Sequence, residues 1–293
     1  MIRNYLTTAF RNILRHKAHT LISIVGLSIG IGTSILMLRY VQHELSYDAF
    51  HTKLDRIYRV MEKTRTKTET THSRFICSAL SAALRNDLPE VETAAHVRRI
   101  WVRMEANGKT LGGIRVAAAE QELFRILDIP FTVGSVEALF ADPTAIAMRE
   151  KTARRFFGDE DPIGKTVTIT SADFGGERVV RALVKDQPNT TLRFDYIQPT
   201  KTPGSWTGGR GNTYVLLREG ADPNAAGTKL RGIVDQYHSP EIAKKRTYEL
   251  YPFSRVYLHM TRDYDTGYIY EAWGDINQVY QFSAIALLVL AIS

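Results

Sequence analysis

The stretch GDEDPIGKTVTI places Gly164, Lys165 and Thr166 in the order that closes a phosphate-binding loop. That loop needs G-x-x-x-x-G-K-[ST] between a strand and a helix, so that successive backbone amides ring the phosphates. Position 159, where the first glycine should stand, is aspartate, and β-branched strand sequence follows Thr166, so the nucleotide reading fails. GGRGN at 208–212 lacks the strand-turn-helix setting of a dinucleotide fold and reads as loop. His43-Glu44 has no second histidine at metalloprotease spacing, and the 8 histidines are scattered. Ser78, Ser81 and Ser205 lack the G-x-S-x-G elbow of a nucleophile. Asp159, Glu160 and Asp161 make an acidic turn without the regularly spaced ligands that calcium requires. Cys77 is the single cysteine, which rules out an internal disulfide and a cysteine-based zinc site. Catalytic, metal and cofactor-binding residues are therefore expected to be absent from this chain.

With no chemistry to position, the elements themselves carry the functional signal. Ala18 to Leu38, AHTLISIVGLSIGIGTSILML, holds no charged residue, and its length matches the roughly 20 residues that cross a bilayer. A cleaved signal peptide has a shorter apolar core and a small-x-small exit, and LRYVQHELSYDAF offers none. A transmembrane helix over 18–42 is expected. Arg3, Arg11, Arg15 and Lys17 precede it with no acidic residue before position 39, which predicts a cytoplasmic N-terminus. The net charge of +7 is thus concentrated beside an apolar segment, which fits a membrane and not a nucleic acid. At the other end, Ile276 to Ser293 has no charge, and QFSAIALLVLAIS reads as the start of a second span interrupted by truncation, over 276–293.

Ile2, Tyr5, Leu6, Ala9, Phe10, Ile13 and Leu14 recur at helical period, with Arg3, Arg11 and Arg15 off the stripe. Residues 1–17 are therefore expected to form an amphipathic helix in the headgroup plane on the cytoplasmic side. Within the span, Gly26 and Gly30 form a GxxxG pair, and Ser28 and Gly32 repeat the spacing. Such small residues let helix backbones approach closely.

Residues 43–275 would form an extracytoplasmic α+β domain of two subdomains. DRIYRVMEK alternates like a strand, and FICSALSAALRNDLPE reads as a helix ended by Pro89. HVRRIWVRMEANGKTLGGIRVAAA reads as two strands joined at Asn107-Gly108. MREKTARRFFGDEDP is a helix stopped at Gly158, while IGKTVTIT and ERVVRALVKD are paired strands. NTYVLLREGADPNAAGTKLRGIVDQYH is a strand followed by a helix opening at Asp222-Pro223, and PGSWTGGRGN is an exposed loop.

The segment NYLTTAFRNILRHKAHTLISIVGLSIGIGTSILMLRYVQHELSYDAFH, followed by DRIYRV, resembles the start of MacB/FtsX-type ABC transporter permeases, in the long form of Bacteroidetes-like bacteria. ARRFFGDEDPIGKTVTI, NTTLRFDYIQP, NTYVLLREGADP and GDINQVYQFSAIALLVL match in order, so the resemblance spans essentially the whole chain. Ala49, where arginine or lysine is usual, and Thr191, where serine is expected, depart from the pattern.

The resemblance implies a non-catalytic inner-membrane permease whose partner is a cytoplasmic ABC ATPase that alone binds ATP and magnesium. It implies a dimer or an internally duplicated permease, with further spans in full-length members, and a periplasmic adaptor or outer-membrane partner. It also casts 1–17 as the element that moves with the ATPase, and the Gly26/Gly30 face as packing on a later span or subunit. A rigid lever would continue the helix through Glu44 to Ile57. The competing reading is a two-span sensory receptor, separable by a kinase or signalling region downstream. A secreted enzyme with an uncleaved signal would need the catalytic cluster that is missing.

Overall fold

The computed structural model describes Arg11 and residues 15–66, 68–200, 204–263 and 274–292. The expected amphipathic stripe from Ile2 to Leu14 lies outside them, apart from Arg11. The described residues fall into two compact units. One is built from the two apolar helices and bounded at Ser46 and Gly274; the other spans Tyr47–Trp273.

The first unit pairs α1 (Lys17–Leu45) with a helix near the C-terminal end. α1 is long because nothing from Lys17 to Leu45 breaks it, and its end is chemical. The Ser46 amide and hydroxyl both donate to the His43 carbonyl, at 3.2 and 2.7 Å. Turns follow, with Asp48 in the left-handed region at φ 57°, and then a single 3-10 turn at Leu54–Arg56. The helical lever expected through Ile57 is corrected here: the helix stops at Leu45. Asp48 is held in its own turn by the Thr191 amide, which a helix could not accommodate.

In the second unit the strands are β1 (Ile57–Arg65), β2 (Thr70–Ser73), β3 (Val91–Ala106), β4 (Lys109–Ala119), β5 (Phe131–Val133) and β6 (Ala145–Arg149). They continue with β7 (Thr166–Thr170), β8 (Gly176–Val184), β9 (Tyr196–Pro199), β10 (Asn212–Leu217) and β11 (Arg246–Pro252). Interleaved are α2 (Leu80–Asp87), α3 (Leu123–Ile126), α4 (Val136–Ala141), α5 (Glu150–Phe157), α6 (Pro223–Tyr237), α7 (Pro240–Ala243) and α8 (Phe253–Asp263). α9 (Ile276–Ile292) belongs to the first unit.

The strands form one sheet in the order β11-β1-β10-β3-β4-β9-β6-β8-β5, with β2 on β1 and β7 bridging β3 and β8. β4–β9 and β6–β8 are parallel; the other pairings are antiparallel. The expected α+β class is the one found. The strands share one continuous sheet within one compact unit, and its apolar side chains gather in three clusters. Leu80, Leu84, Leu230 and Tyr248 pack together near β11, and Met104, Ile146, Phe156 and Tyr196 near β7. A third cluster, with Val97, Ala147, Ile197 and Phe253, lies along the middle strands.

Local signals explain most boundaries. Asn107 (φ 50°) and Gly108 (φ 68°) take the two left-handed positions that a tight hairpin between β3 and β4 requires. Gly158 (φ 65°) closes α5, its amide donating to the Arg154 carbonyl at 2.9 Å. The Asp222 carboxylate caps α6 by accepting from the Asn224 amide at 2.9 Å, and Pro223 supplies the preset first turn.

Two expectations shift. The helix expected from Phe75 begins only at Leu80, because Ile76 and Gly211 exchange amide-to-carbonyl bonds of 2.6 and 2.9 Å. The Ser78 and Ala79 amides likewise donate to the carbonyls of Gly208 and Ser205. The second shift concerns Met148 and Arg149, expected in a helix; they end β6, between β8 and β9.

Candidate functional site

In the first unit, α1 is long and apolar enough to cross a membrane, and its Leu21, Ile22, Ile29 and Leu36 are more than half exposed. The hydroxyls within this apolar setting are satisfied locally. Ser28 donates to the Ile24 carbonyl at 2.7 Å, Thr33 to Ile29 at 2.8 Å and Ser283 to Val279 at 2.7 Å. A polar group left unpaired in lipid costs several kcal/mol, and bonds of this kind would let serine and threonine enter it.

The close approach of α1 to α9 is made by Ser34, whose hydroxyl donates to the Ala286 carbonyl at 3.3 Å, both residues being buried. Tyr40 stacks edge-on against Phe282 at 5.0 Å and donates to Gln278 Oε1 at 3.3 Å. A side chain at Gly26 or Gly32 would meet no atom within 4 Å. The small-residue positions Gly26 and Gly32 thus stand open on α1, while Ser34 makes the contact within the chain. Arg11, Arg15 and Lys17 are exposed.

In the domain, the polypeptide enters through a polar network around the buried Asp48 and His51. The Asp48 carboxylate accepts from the Thr191 amide at 3.0 Å, and the Asp48 amide donates to the Asn189 carbonyl at 3.0 Å. Asp128 accepts from the Thr52 amide and hydroxyl at 2.6 and 3.0 Å. The Asp128 amide in turn donates to His51 Nδ1 at 3.0 Å. That last bond needs an unprotonated Nδ1, so His51 is neutral; burial pushes it from its usual range down to about 4. Burial also raises the Asp48 carboxyl, against the lowering effect of the Thr191 amide. Tyr47 stacks on Tyr257 with ring centres 3.5 Å apart and accepts from Arg193 at 3.3 Å.

Sequence reasoning missed this clamp. Its signal was present in two quoted motifs, ELSYDAFH and NTTLRFDYIQP, which supply Asp48, His51, Asn189 and Thr191.

The residues whose types could do chemistry are tied into structure. Lys165 pairs with Glu160 and lies over the Phe157 ring at 5.1 Å, and β7 begins at Thr166, where a phosphate loop would begin a helix. Asp161 accepts from the Ile163 amide at 3.0 Å. Ser78 accepts from the Ser205 amide at 3.3 Å and Ser81 donates to Glu120 at 3.1 Å. The glycine-rich loop is partly exposed, yet it is moulded to the sheet. His96 Nε2 donates to the Gly209 carbonyl at 2.7 Å, and a Cβ on Gly211 would stand 2.5 Å from the Val97 carbonyl oxygen.

A family model of the MacB-like periplasmic core domain matches residues 20–233. A comparison with curated proteins finds no match. Among solved structures, a domain assigned to a permease protein from Porphyromonas gingivalis is similar with a TM-score of 0.61. Its identity is 20%, covering 69% of this chain and 92% of that one. The extracellular domain of the noncanonic ABC-type transporter YknZ from Gram-positive bacteria gives 0.50 at 13%, covering 66% and 98%. The periplasmic region of MacB from Actinobacillus actinomycetemcomitans gives 0.49 at 14%, covering 68% and 89%. The first two share the fold described above. With its model extending over most of the sequence, this membrane-anchored chain belongs to the MacB-like periplasmic core domain family, as its resemblance to MacB/FtsX-type ABC transporter permeases implied.

Proposed function

We propose that the chain is the permease subunit of an ABC transporter of the mechanotransmission type. A separate cytoplasmic ATPase binds ATP and magnesium, and the permease relays its stroke to the periplasmic domain for export or envelope remodelling. The chain itself performs no catalysis. The observation that carries this reading is a match to the MacB-like periplasmic core domain in the same chain as an apolar helix of 29 residues with a basic N-terminal flank.

By the positive-inside rule that flank lies in the cytoplasm and the protein sits in the inner membrane. The stripe from Ile2 to Leu14 then meets the ATPase at the headgroup plane. The Gly26/Gly30 face, open at Gly26, receives a further helix, from a second copy or a later span. A periplasmic adaptor or outer-membrane partner completes the assembly.

The test is co-purification of the full-length protein with an ATPase encoded beside it, followed by ATP hydrolysis with and without the permease. Stimulated hydrolysis supports the reading; a downstream kinase region and no ATPase partner would replace it with the sensory receptor. Orientation is read separately. Cys77 is buried, so a cysteine introduced by Trp101→Cys, at an exposed site, should react with an impermeant maleimide from the periplasmic side.

A further inference from the structure

Beside the edge strand β11 lies a cleft of about 260 Å³ lined by Lys63, Arg65, Arg231, Lys244, Lys245, Thr247 and Glu249. Five cations and one carboxylate share this lining; the cations come from β1, α6 and the segment joining α7 to β11, and the carboxylate, Glu249, from β11. Lys63 reaches Glu249 at 3.6 Å. Among the described residues, Arg65, Arg231, Lys244 and Lys245 make no ion pair. Elsewhere in the domain the pattern is different: Arg85 pairs with Glu120 and Arg115 with Asp195. Even Arg246, between Lys245 and Thr247, turns to the other face of β11, where it and Arg210 flank the buried Glu62 at 3.4 Å.

Like charges converging on one concavity repel each other and raise the local positive potential. The fold holds them there by its own backbone: the Arg65 amide donates to the Lys245 carbonyl at 2.7 Å, fixing the end of β1 against the start of β11. A compact anion carrying two or more charges would relieve that repulsion, and guanidinium groups match phosphate oxygens in geometry. The cleft is close to the lower end of small-ligand sites, roughly 300 Å³, which suits a headgroup-sized anion better than a large organic molecule.

We propose that this cleft binds a phosphate-bearing anion, either free or as the headgroup of a lipid. The site stands independently of whether an ATPase drives the chain.

The experiment uses the full chain in a non-ionic detergent, titrated with inorganic pyrophosphate and with dihexanoyl phosphatidic acid. Dihexanoyl phosphatidylcholine serves as the neutral-headgroup control. Saturable pyrophosphate binding that the phosphatidic acid displaces assigns the site to phosphate itself. Binding of the phosphatidic acid alone assigns it to a lipid headgroup. In either case Arg231→Glu with Lys244→Glu should weaken binding about tenfold or more, while Lys151→Glu, an exposed charge reversal elsewhere, leaves it unchanged. Melting temperatures of the unliganded variants no lower than the parent's show that the fold is intact. The proposal is overturned if neither probe binds, or if the cleft variant binds as the parent does.

Discussion

At the entry to the domain, Asp48, His51 and Asp128 are each held by a backbone amide. In the cleft beside β11, Arg231, Lys244 and Lys245 stand exposed without an ion pair. Both regions concentrate titratable groups, but their physics is opposed. A buried polar group is tolerated because its partner is fixed, and removing the partner costs its full desolvation. An exposed cation loses little when its neighbours change. Perturbing the first region should therefore register as stability, and perturbing the second as binding.

The largest expected effect is on acidification. His51 and His96 are buried, and both are lowered to about 4, chiefly by burial. Each unfolded histidine binds a proton near its ordinary 6.5 while the folded one does not, so stability is complete above that value. It falls as pH drops from about 6.5 towards 4, by a few kcal/mol in total near pH 5. Asp48 works the other way: its raised folded-state carboxyl takes up a proton before the unfolded one does, which offsets part of the loss at the acid end. Melting of the full chain should fall steeply between pH 6.5 and 5, and His51→Gln should flatten part of that slope. A pH-independent melting temperature would refute the neutral, amide-bound state of His51.

Asp48→Ala comes next. It leaves the buried Thr191 amide without its acceptor and removes the polar side chain that eases the left-handed conformation at φ 57°. The two costs together come to about 2–4 kcal/mol. Asp48→Asn, which keeps an acceptor and tolerates the left-handed conformation, should recover most of it in denaturant titration. Equal losses in the two variants would mean that the carboxylate charge, and not the hydrogen bond, holds the entry.

Gly211→Ala probes the loop moulded to the sheet. Its Cβ would lie 2.5 Å from the Val97 carbonyl oxygen and 2.7 Å from His96 Nε2. Overpacking against backbone costs about 1–3 kcal/mol, and it should also disturb the pairing of Ile76 with Gly211. Gly232→Ala, in open space on α6, should be neutral or slightly stabilising by comparison.

The sequence displayed what local rules govern. The hairpin at Asn107-Gly108, the stop at Gly158 and the Asp222-Pro223 helix start each depend on residues a few positions apart. β6 was not legible as a strand, because AIAMR is buried between β8 and β9 and shows no polar alternation. Its last residues were absorbed into the following helix. The stalk departs from the expected helix because the turn that follows the local stop at Ser46 is held from afar: Asp48 and Thr191 are 143 positions apart. The same distance hid the entry clamp, whose residues lay within recognised motifs but had no visible partners. The small-residue face showed its spacing, yet the chain's own helix contact at Ser34 and Ala286 depends on a pairing 252 positions apart.

The smallest expected effect sharpens the comparison most. Arg231→Glu and Lys244→Glu, made singly, should change stability by no more than about 0.5 kcal/mol, as exposed substitutions do. Relief of like-charge repulsion gives the change its sign: each reversal should stabilise slightly at low salt, and the gain should vanish as ionic strength shortens the screening length. Thermal melts of the unliganded chain at low and high salt read this directly. A salt-sensitive gain shows that the cations repel one another across an empty cleft. A loss of stability like that of Asp48→Ala would show instead that they are structural, and the division between the two regions would fail.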